Sequence, residues 1–268
     1  MKKQIYTSLI TFAAAAATFA PFLVVPASAQ FPAESTVPKK DRRPRPIAKA
    51  PTTPAPRTKD GKPDLSGVWG YAGYTSDIAK DYDVGELPMT PAAEKLFKER
   101  QANQGIEDPE SRCLPTGVPR RDPYPTKILQ MPDLLVILFE GNIHSYRQIF
   151  LDGRPHPKDA DPTWYGHSIG HWEGDTLVVD TVGFNGKTWL DLAGHPTTEN
   201  LHVIERYSRP DLGHLRNDIT IEDPEMYKKP FNVTEITPLM VGGEIIEYIC
   251  TENEQDSQHF IDPNKPKK

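Results

Sequence analysis

The feature that most constrains the fold is a series of short apolar segments, separated by turn-forming residues, that begins at Leu134 and continues almost to the C-terminus. Alternation of apolar and polar side chains in such segments is typical of β-strands with one buried face. Dipeptides that favour tight turns lie between them: Asp152-Gly153, Gly174-Asp175, Pro210-Asp211, Asp223-Pro224 and Gly242-Gly243. The pattern predicts an all-β, mostly antiparallel fold, either an up-and-down barrel or a strongly curved sheet.

The predicted strands account for most of the chain after residue 133. They are Leu134–Phe139, Ile143–Leu151, Ser168–Trp172, Thr176–Phe184, Leu201–Tyr207, Leu215–Ile221, Phe231–Thr237 and Glu244–Thr251. One short helix is predicted at residues 88–103, where Thr90 is an N-cap residue and Pro91 occupies the first helical position. A Pro-rich loop, residues 113–127, follows this helix.

Residues 1–29 have the pattern of a secretory signal peptide. Lys2 and Lys3 precede an uncharged apolar run, residues 5–25, and Ala27-Ser28-Ala29 is a small-residue cleavage site. The pattern predicts a periplasmic or secreted protein. An uncleaved signal would add a peripheral membrane association, since the apolar run is nearly long enough to span a bilayer.

The rest of the chain divides into a linker and one domain. Residues 30–63 are rich in Pro, Lys, Arg, Thr and Ala, so they bury too little apolar surface to offset their ordering entropy. We expect a disordered Pro-rich linker there and a single β-rich domain at residues 64–268. The formal net charge of −6 gives no reason to expect nucleic acid as a partner, and the oligomeric state stays open.

The sequence contains two cysteines, Cys113 and Cys250, which we expect to form a disulfide. An exported protein folds in an oxidising compartment, and neither cysteine has a local catalytic signature. The bond would connect the start of the domain to its last predicted strand.

Four predicted strands carry one charged residue in a row of otherwise apolar alternate positions: Arg147, Asp180, Glu205 and Glu247. Alternate side chains point into a barrel, so these groups are expected in the interior. Buried charges are costly unless they are paired, and Arg147 with Glu205 or Glu247 would make such a pair. The pair would either only close the barrel or belong to a functional site, because perturbed charge pairs also cluster at sites.

Residues 164–202 contain four histidines and several aromatic side chains. Within them, residues 184–200 lack strand periodicity and predict a long loop, which usually serves binding or catalysis. We therefore expect the mouth of a pocket here, lined by Trp164, Tyr165 and Trp189. Trp172 and Asp191 are further candidates for substrate binding.

Two kinds of site have partial support in this segment. Residues 166–170 match the G-x-S-x-G pattern around Ser168, but the helix that a nucleophile elbow requires does not follow it. His167 and His171 share one face of a predicted strand but lie about 13 Å apart at about 3.3 Å per residue, too far to share a metal ion. A metal site would need one of them with His195 or His202 and a carboxylate.

A third kind of site is metal-free general acid–base catalysis. It needs a histidine of near-neutral pKa, a carboxylate to orient it and a group that stabilises an anion. The candidates for catalysis are His167, His195, Asp180, Glu205, Arg147 and Tyr165. This interpretation requires no metal and no other cofactor.

Several motifs carry a resemblance to known proteins. The opening Gly67-Val68-Trp69 resembles the start of lipocalin-like barrels. The longer motifs are PDLSGVW, CLPTGVPR, YRQIFLDGRPHP, DPTWYGHSIGHWEGDTLVVDTVGF, TWLDLAGHP, LHVIERYSRPD and EYICTENEQD. Together they resemble a widespread, mostly uncharacterised family of secreted bacterial proteins across residues 64–258. A weaker resemblance is to exported lyases that break down lignin-derived aromatic compounds of the phenylcoumaran type.

The resemblance implies a cofactor-independent lyase that cleaves a carbon–carbon bond in a small aromatic substrate and releases formaldehyde. In that interpretation Trp164, Trp189 or Tyr165 stacks on the substrate, His167 or His195 is the base, and Arg147 or Tyr165 stabilises a phenolate. The alternative is a lipocalin-like protein that binds a small molecule without catalysis. A metal-dependent or serine hydrolase is the further alternative.

Overall fold

The structure is a computed structural model that describes residues 50–70, 74–141 and 145–252. All of these residues belong to one compact unit, Pro46–Lys268. The expected signal peptide, residues 30–49 of the expected linker and the last sixteen residues lie outside the described residues. So does Ile143, at the start of a predicted strand.

The described chain forms one nine-stranded sheet in which the strands lie in sequence order. The strands are β1 (Gly67–Trp69), β2 (Thr126–Gln130), β3 (Leu134–Phe139), β4 (Tyr146–Phe150), β5 (His167–Glu173), β6 (Thr176–Val182), β7 (His202–Asp211), β8 (His214–Glu222) and β9 (Phe231–Pro238). Neighbours are antiparallel except β4 and β5. The prediction of a mostly antiparallel β fold is confirmed.

The sheet curves until its two edge strands meet. The backbone N–H of Gly70 donates to Pro238 O at 2.8 Å, and that of Met240 donates to Val68 O at 2.8 Å. These bonds join the end of β1 to the end of β9, so the sheet is a nearly closed barrel. Closure satisfies backbone groups that an open edge would leave exposed.

Apolar side chains from alternate strand positions fill the barrel. Trp69 is 1% exposed, and its indole N–H donates to Leu65 O at 3.0 Å. The Arg209 guanidinium lies 4.8 Å from the centre of the Trp69 ring. Trp69 is therefore held in the barrel core by apolar packing, a hydrogen bond and the Arg209 guanidinium.

Two α-helices and a short 3-10 helix, Pro109–Arg112, precede β2. Helix α1 (Ile78–Asp81) is a single turn, and α2 (Pro91–Ala102) is the predicted helix. The Thr90 hydroxyl accepts the Ala93 N–H at 3.2 Å, so the expected N-cap is confirmed. None of the described helices has both the length and the apolar character needed to cross a membrane.

Three strand assignments differ from the sequence prediction. Strand β1, only three residues long, was not among the predicted strands. Strand β2 was missed because the prolines before it, in the predicted loop at residues 113–127, obscured its pattern. Residues 244–251, predicted as the last strand, form no strand. Ile246 and Ile249 are exposed there, so their alternation with polar residues does not mark a buried face.

The disulfide between Cys113 and Cys250 is present and closes a sequence separation of 137 residues. It ties the C-terminal segment to the loop after α2 rather than to a strand. Part of the expected linker also contacts the barrel. Arg57 forms an ion pair with Asp175 at 2.6 Å, and the Leu212 N–H donates to Thr53 O at 2.7 Å.

Candidate functional site

The candidate site is a cleft in the barrel wall between β4 and β5. These parallel strands pair at only two positions, Ile149 with Ser168 and Phe150 with Ile169. On the N-terminal side of those pairs the two strands are no longer paired. Residues 145–148 and 163–168 line a cleft of about 510 Å³ there. A parallel pair needs a long crossover, and residues 151–166 provide it here. The tight-turn signal at residues 152–153 therefore does not form a hairpin.

The cleft is lined by aromatic rings. They belong to Tyr146, Phe150, Trp164 and Tyr165. Tyr146 is 59% exposed, whereas Tyr165 is buried and stacks on Phe139 with ring centres 5.1 Å apart. The Tyr165 hydroxyl lies 2.9 Å from the Ser145 hydroxyl on the other side of the cleft. The lining therefore suits a flat apolar ligand.

A chain of hydrogen bonds fixes His167 at the rim of the cleft. His167 Nδ1 lies 2.9 Å from Nδ1 of His156, which belongs to the crossover. His156 Nε2 lies 3.3 Å from Asp180 Oδ1 on β6, and His202 Nε2 lies 2.9 Å from the same oxygen. The Phe150 ring stacks on His167 with ring centres 5.3 Å apart.

The chemistry of these groups determines where the protons lie. An ionised Asp180 only accepts hydrogen bonds, so His156 Nε2 carries a proton and its Nδ1, when the ring is neutral, accepts one. His167 Nδ1 must then donate to His156, which leaves Nε2 of His167 with an unshared electron pair. Asp180, His156 and His167 therefore form a relay that holds His167 in the tautomer suited to a general base.

The pKa of His167 is lowered below its ordinary value. Burial is the largest cause, and the nearby His156 and Arg154 add smaller electrostatic effects. The ring is accordingly neutral near pH 7 and able to take a proton. Burial also raises the pKa of Tyr165 far above its ordinary value. Tyr165 therefore stays protonated and acts as a hydrogen-bond donor rather than as a base.

Arg147 lies where the cleft meets the barrel interior, since it lines both the cleft and an interior cavity. Its guanidinium pairs with Glu205 on β7, and the two side chains are 3% and 1% exposed. Nε donates to Ser168 Oγ at 3.0 Å and Nη2 to Thr181 Oγ1 at 2.8 Å. A further hydrogen bond with Tyr207 helps to hold the guanidinium at the inner end of the cleft.

The Arg147–Glu205 pair confirms one of the two pairings expected from the sequence. Burial alone would raise the pKa of Glu205, but Arg147, Tyr207 and Asn217 together outweigh burial and hold the pKa below its ordinary value. Tyr207 OH donates to Glu205 Oε1 at 2.7 Å, and Asn217 Nδ2 donates to the same oxygen at 3.1 Å. These contacts favour the carboxylate form of Glu205, which holds Arg147 in place.

Three candidates from the sequence lie away from the cleft: Trp189, expected at the pocket mouth, Asp191, expected to bind substrate, and His195, expected to act in catalysis. Trp189, Asp191 and His195 are each less than 5% exposed and line neither the cleft nor the interior cavity. His195 Nδ1 lies 2.5 Å from Asp191 Oδ2, and Phe97 of α2 stacks on the His195 ring at 4.3 Å. The loop at residues 184–200 folds back on α2, which explains the burial of its aromatic and charged residues.

Asp77, Asp191 and His195 each offer one atom within 4.8 Å of the others, a spacing compatible with a metal ion. These atoms already have protein partners. Asp191 accepts the backbone N–H groups of Ile78, Gly194 and His195 in addition to the imidazole. Asp77 caps α1 and pairs with Lys80 at 2.6 Å. The cluster therefore fastens the loop to α1.

Two of the charges expected inside the barrel point elsewhere. On β6, Leu177, Val179 and Thr181 face the barrel interior. Asp180 therefore lies on the outer face, and 42% of its side chain is exposed. Both alternating sets of side chains on β6 are largely apolar, so the sequence pattern does not show which set is buried. Glu247 lies in the C-terminal segment without strand structure and is exposed.

Two further candidates from the sequence have structural roles. Ser168 is 1% exposed within β5, and a hairpin turn and β6 follow it instead of a helix. The nucleophile-elbow interpretation is therefore wrong. Trp172 packs against the apolar core at the other end of β5 and does not line the cleft.

The sequence motifs did not single out every residue of the site. His156 lies in a Gly-Arg-Pro-His-Pro run without periodicity, which reads as an ordinary loop. Tyr146 and Phe150 read as strand residues. Their meeting with His167 depends on the parallel crossover, and no local pattern predicts that pairing.

No protein-family model, curated protein or solved structure matches this chain. The family resemblance of the sequence motifs therefore stays a prediction. Function has to be inferred from the geometry of the cleft.

Proposed function

We propose that the chain is a periplasmic, cofactor-independent lyase that cleaves a carbon–carbon bond in a small phenolic compound and releases formaldehyde. The observation that carries the proposal is the position of His167. The relay from Asp180 presents its free Nε2 electron pair, and His167 lines the same cleft as Arg147, Trp164 and Tyr165. A base, a cation and stacking rings are what acid–base chemistry on a phenol requires.

The substrate class follows from these groups. A 4-hydroxyphenyl ring stacks against Trp164 or Tyr146, and its oxygen lies near the Arg147 guanidinium, which lines the cleft. The side chain of the substrate carries an ether oxygen on the benzylic carbon and a hydroxymethyl group on the next carbon. His167 accepts the proton of that hydroxymethyl group.

The reaction needs no oxidant or reductant. Water takes the phenol proton, and the benzylic carbon–oxygen bond then breaks with its electron pair on the departing aryl ether oxygen, so that a quinone methide forms. His167 then removes the hydroxymethyl proton, the oxygen forms the carbonyl of formaldehyde, and the carbon–carbon bond breaks. That electron pair becomes a carbon–carbon double bond as the ring returns to a phenolate, and the protons return to the two phenolate oxygens.

Export supports a chemistry that side chains accomplish alone, because cytosolic nucleotide cofactors are scarce outside the cell. The disulfide Cys113–Cys250 is consistent with an oxidising compartment. Periplasmic or secreted localisation rests on the signal-peptide pattern of residues 1–29.

The second candidate is a binding protein without catalysis. One observation favours it. The Tyr165 hydroxyl and the Arg147–Glu205 pair already have protein partners, so most polar groups of the cleft are satisfied before a ligand arrives. Such a protein would hold an aromatic ligand by stacking alone.

The lyase and the binding protein are distinguished by testing whether the protein converts a panel of phenolic dimers. The protein used lacks the signal peptide and has been treated with a chelator. The lyase releases formaldehyde and an alkene product in equal amounts. Binding of several dimers without conversion of any would leave the binding protein as the function. Activity that disappears on chelation and returns with one metal ion would instead show a metal-dependent enzyme.

A further inference from the structure

The carboxylate of Asp180 contacts two histidines, and only one of them leads to the cleft. Asp180 Oδ1 lies 3.3 Å from His156 Nε2 and 2.9 Å from His202 Nε2. His156 continues to His167, whereas His202 does not line the cleft. Any effect of His202 on the cleft must therefore pass through Asp180.

The register of the sheet brings His202 to Asp180. Asp180 lies directly opposite Ile204 on β7, so both side chains point to the outer face of the barrel. His202 comes two residues before Ile204 and shares that face, because side chains alternate along a strand. Glu222 on β8 lies directly opposite His202. Three neighbouring strands therefore carry the row Asp180, His202 and Glu222 on their outer face.

The bond to His202 is the shorter of the two that Asp180 Oδ1 accepts. An N–H···O hydrogen bond is normally about 2.7–3.2 Å long. The 2.9 Å contact with His202 is within that range, whereas the 3.3 Å contact with His156 is long. The Asp180 side chain is also half-exposed, so water competes for its oxygens. His202 is therefore the stronger of the two donors that fix the carboxylate.

His202 can donate to Asp180 whether its ring is charged or neutral. Its Nδ1 lies 3.5 Å from Glu222 Oε2, and ionised carboxylates only accept hydrogen bonds. A charged ring has two N–H groups, one for each carboxylate. A neutral ring has one N–H group, and the nearer oxygen, that of Asp180, accepts it. The contact with Asp180 is thus kept in both protonation states of His202.

These contacts contribute little to folding. The side chains of His202, Asp180 and Glu222 are all partly exposed, and exposed pairs of this kind add little to stability. A substitution at His202 is therefore expected to leave the barrel folded. An effect of that substitution on His167 would then come from the hydrogen-bond chain and not from unfolding.

We propose that His202 is a positioning residue for His167, on which it acts through Asp180 and His156. By fixing Asp180, it holds His156 in the tautomer that accepts a hydrogen bond from His167, and this keeps Nε2 of His167 free. The inference rests on the proposed role of His167 as the base, but the position of its proton can be measured without turnover.

Nuclear magnetic resonance of the ring nitrogens shows where that proton lies. The sample is nitrogen-15-labelled protein without its signal peptide at pH 7.5, where the lowered pKa of His167 leaves the ring neutral. The signals of His167 are identified by their loss in His167→Ala. Free neutral histidine carries its proton mainly on Nε2, so a proton on Nδ1 shows that the relay imposes the tautomer. We expect the proton on Nδ1 in the unaltered protein and mainly on Nε2 in His202→Ala.

Two further variants separate positioning from a general effect of substitution. His202→Gln places an amide N–H close to the position of the imidazole Nε2–H, so it should keep the His167 proton on Nδ1. His214→Ala should also keep it there, because His214 pairs with Asp211 at 2.8 Å at the opposite end of β8 from Glu222. Circular dichroism checks the fold of each variant.

Three results would overturn the proposal. One is a His167 tautomer that stays unchanged in folded His202→Ala. Another is an equal change in His214→Ala, which would show a general effect. The third is a proton on Nε2 of His167 in the unaltered protein, which would also contradict the relay.

The kinetic counterpart uses a dimer that the protein converts. His202→Ala should lower kcat by about three- to tenfold, less than loss of the base itself, and leave KM within about twofold because His202 does not line the cleft. An unchanged kcat, or a change confined to KM, would contradict the positioning role. Failure to convert any dimer would refute the proposed lyase, and the tautomer measurement would still decide the role of His202.

Discussion

His156 and His167 lie with their Nδ1 atoms 2.9 Å apart, although one belongs to the crossover and the other to β5. Only one of the two facing nitrogens carries a proton when both rings are neutral. Because Asp180 holds the far side of His156, that proton belongs to His167. A charge on β6 thereby sets the tautomer of a ring at the rim of the cleft.

Asp180→Asn should lower kcat by about tenfold or more and leave KM within about twofold. Asn can donate as well as accept, so His156 no longer has a fixed tautomer and His167 loses its orientation. KM is spared because Asp180 does not line the cleft. Steady-state kinetics of this variant beside Asp159→Asn, an exposed carboxyl of the crossover, measures the effect. Equal losses in kcat for both variants would contradict the relay.

Arg147→Met should destabilise the protein by about 3–5 kcal/mol, because it leaves the Glu205 carboxylate buried without its partner. The double variant Arg147→Met, Glu205→Leu should recover most of that loss, since neither buried charge remains. Urea unfolding of the two variants and the unaltered protein gives the free energies. A double variant no more stable than the single one would show that the pair is not the source of the loss.

Asp122 should make the protein less stable as pH rises. Its folded pKa of about 6 lies above the ordinary 3.8, so the folded state binds the proton more tightly and the free energy of unfolding falls between these pH values. The loss is about 3 kcal/mol and persists above pH 6. Glu205 acts in the opposite sense, because its pKa is lowered on folding.

Asp122→Asn removes the loss of stability caused by Asp122 and keeps the contribution of Glu205. The difference in unfolding free energy between this variant and the unaltered protein should shift in favour of the variant as pH rises from 4 to 7. Chemical unfolding of both proteins at several pH values between 4 and 7 measures this difference. A difference that does not change with pH would mean that the Asp122 carboxyl titrates normally.

Removal of the disulfide by Cys113→Ser with Cys250→Ser should destabilise the protein by up to about 4–5 kcal/mol. The C-terminal segment has no strand pairing, and its described contacts include the Ile246 N–H to Glu140 at 2.9 Å and the Tyr248 ring against Tyr124. We expect proteolysis of residues 244–252 first. Limited digestion followed by mass spectrometry checks this, and an intact C-terminal segment in the variant would contradict it.

Much of the barrel could be predicted from the sequence because alternation is a local signal. Strands β3 and β5–β9 lie where apolar alternation and turn residues placed them. The parallel pairing of β4 with β5 could not be predicted, because the Asp152-Gly153 dipeptide also favours a hairpin. Residues 244–251 alternate in the same way but have no neighbouring strand to pair with.

The site was predictable only in part for the same physical reason. Trp164, Tyr165 and His167 are close in sequence and remain together in the cleft, and Arg147 joins them through the crossover. His195 is buried by α2, which approaches from a distant part of the chain. The direction in which Asp180 points was ambiguous because both faces of β6 are rich in valine and leucine.

The most direct test of the proposed catalytic role compares His167→Ala with His171→Ala. Both residues lie on the outer face of β5, but His171 pairs with Glu173 at 3.2 Å and does not line the cleft. The measurement is the rate of formaldehyde release from a phenolic dimer that the unaltered protein converts. We expect His167→Ala to lower kcat by about 10²–10⁴-fold and His171→Ala to leave it within about twofold. Equal rates for the two folded variants would contradict the assignment of His167 as the base.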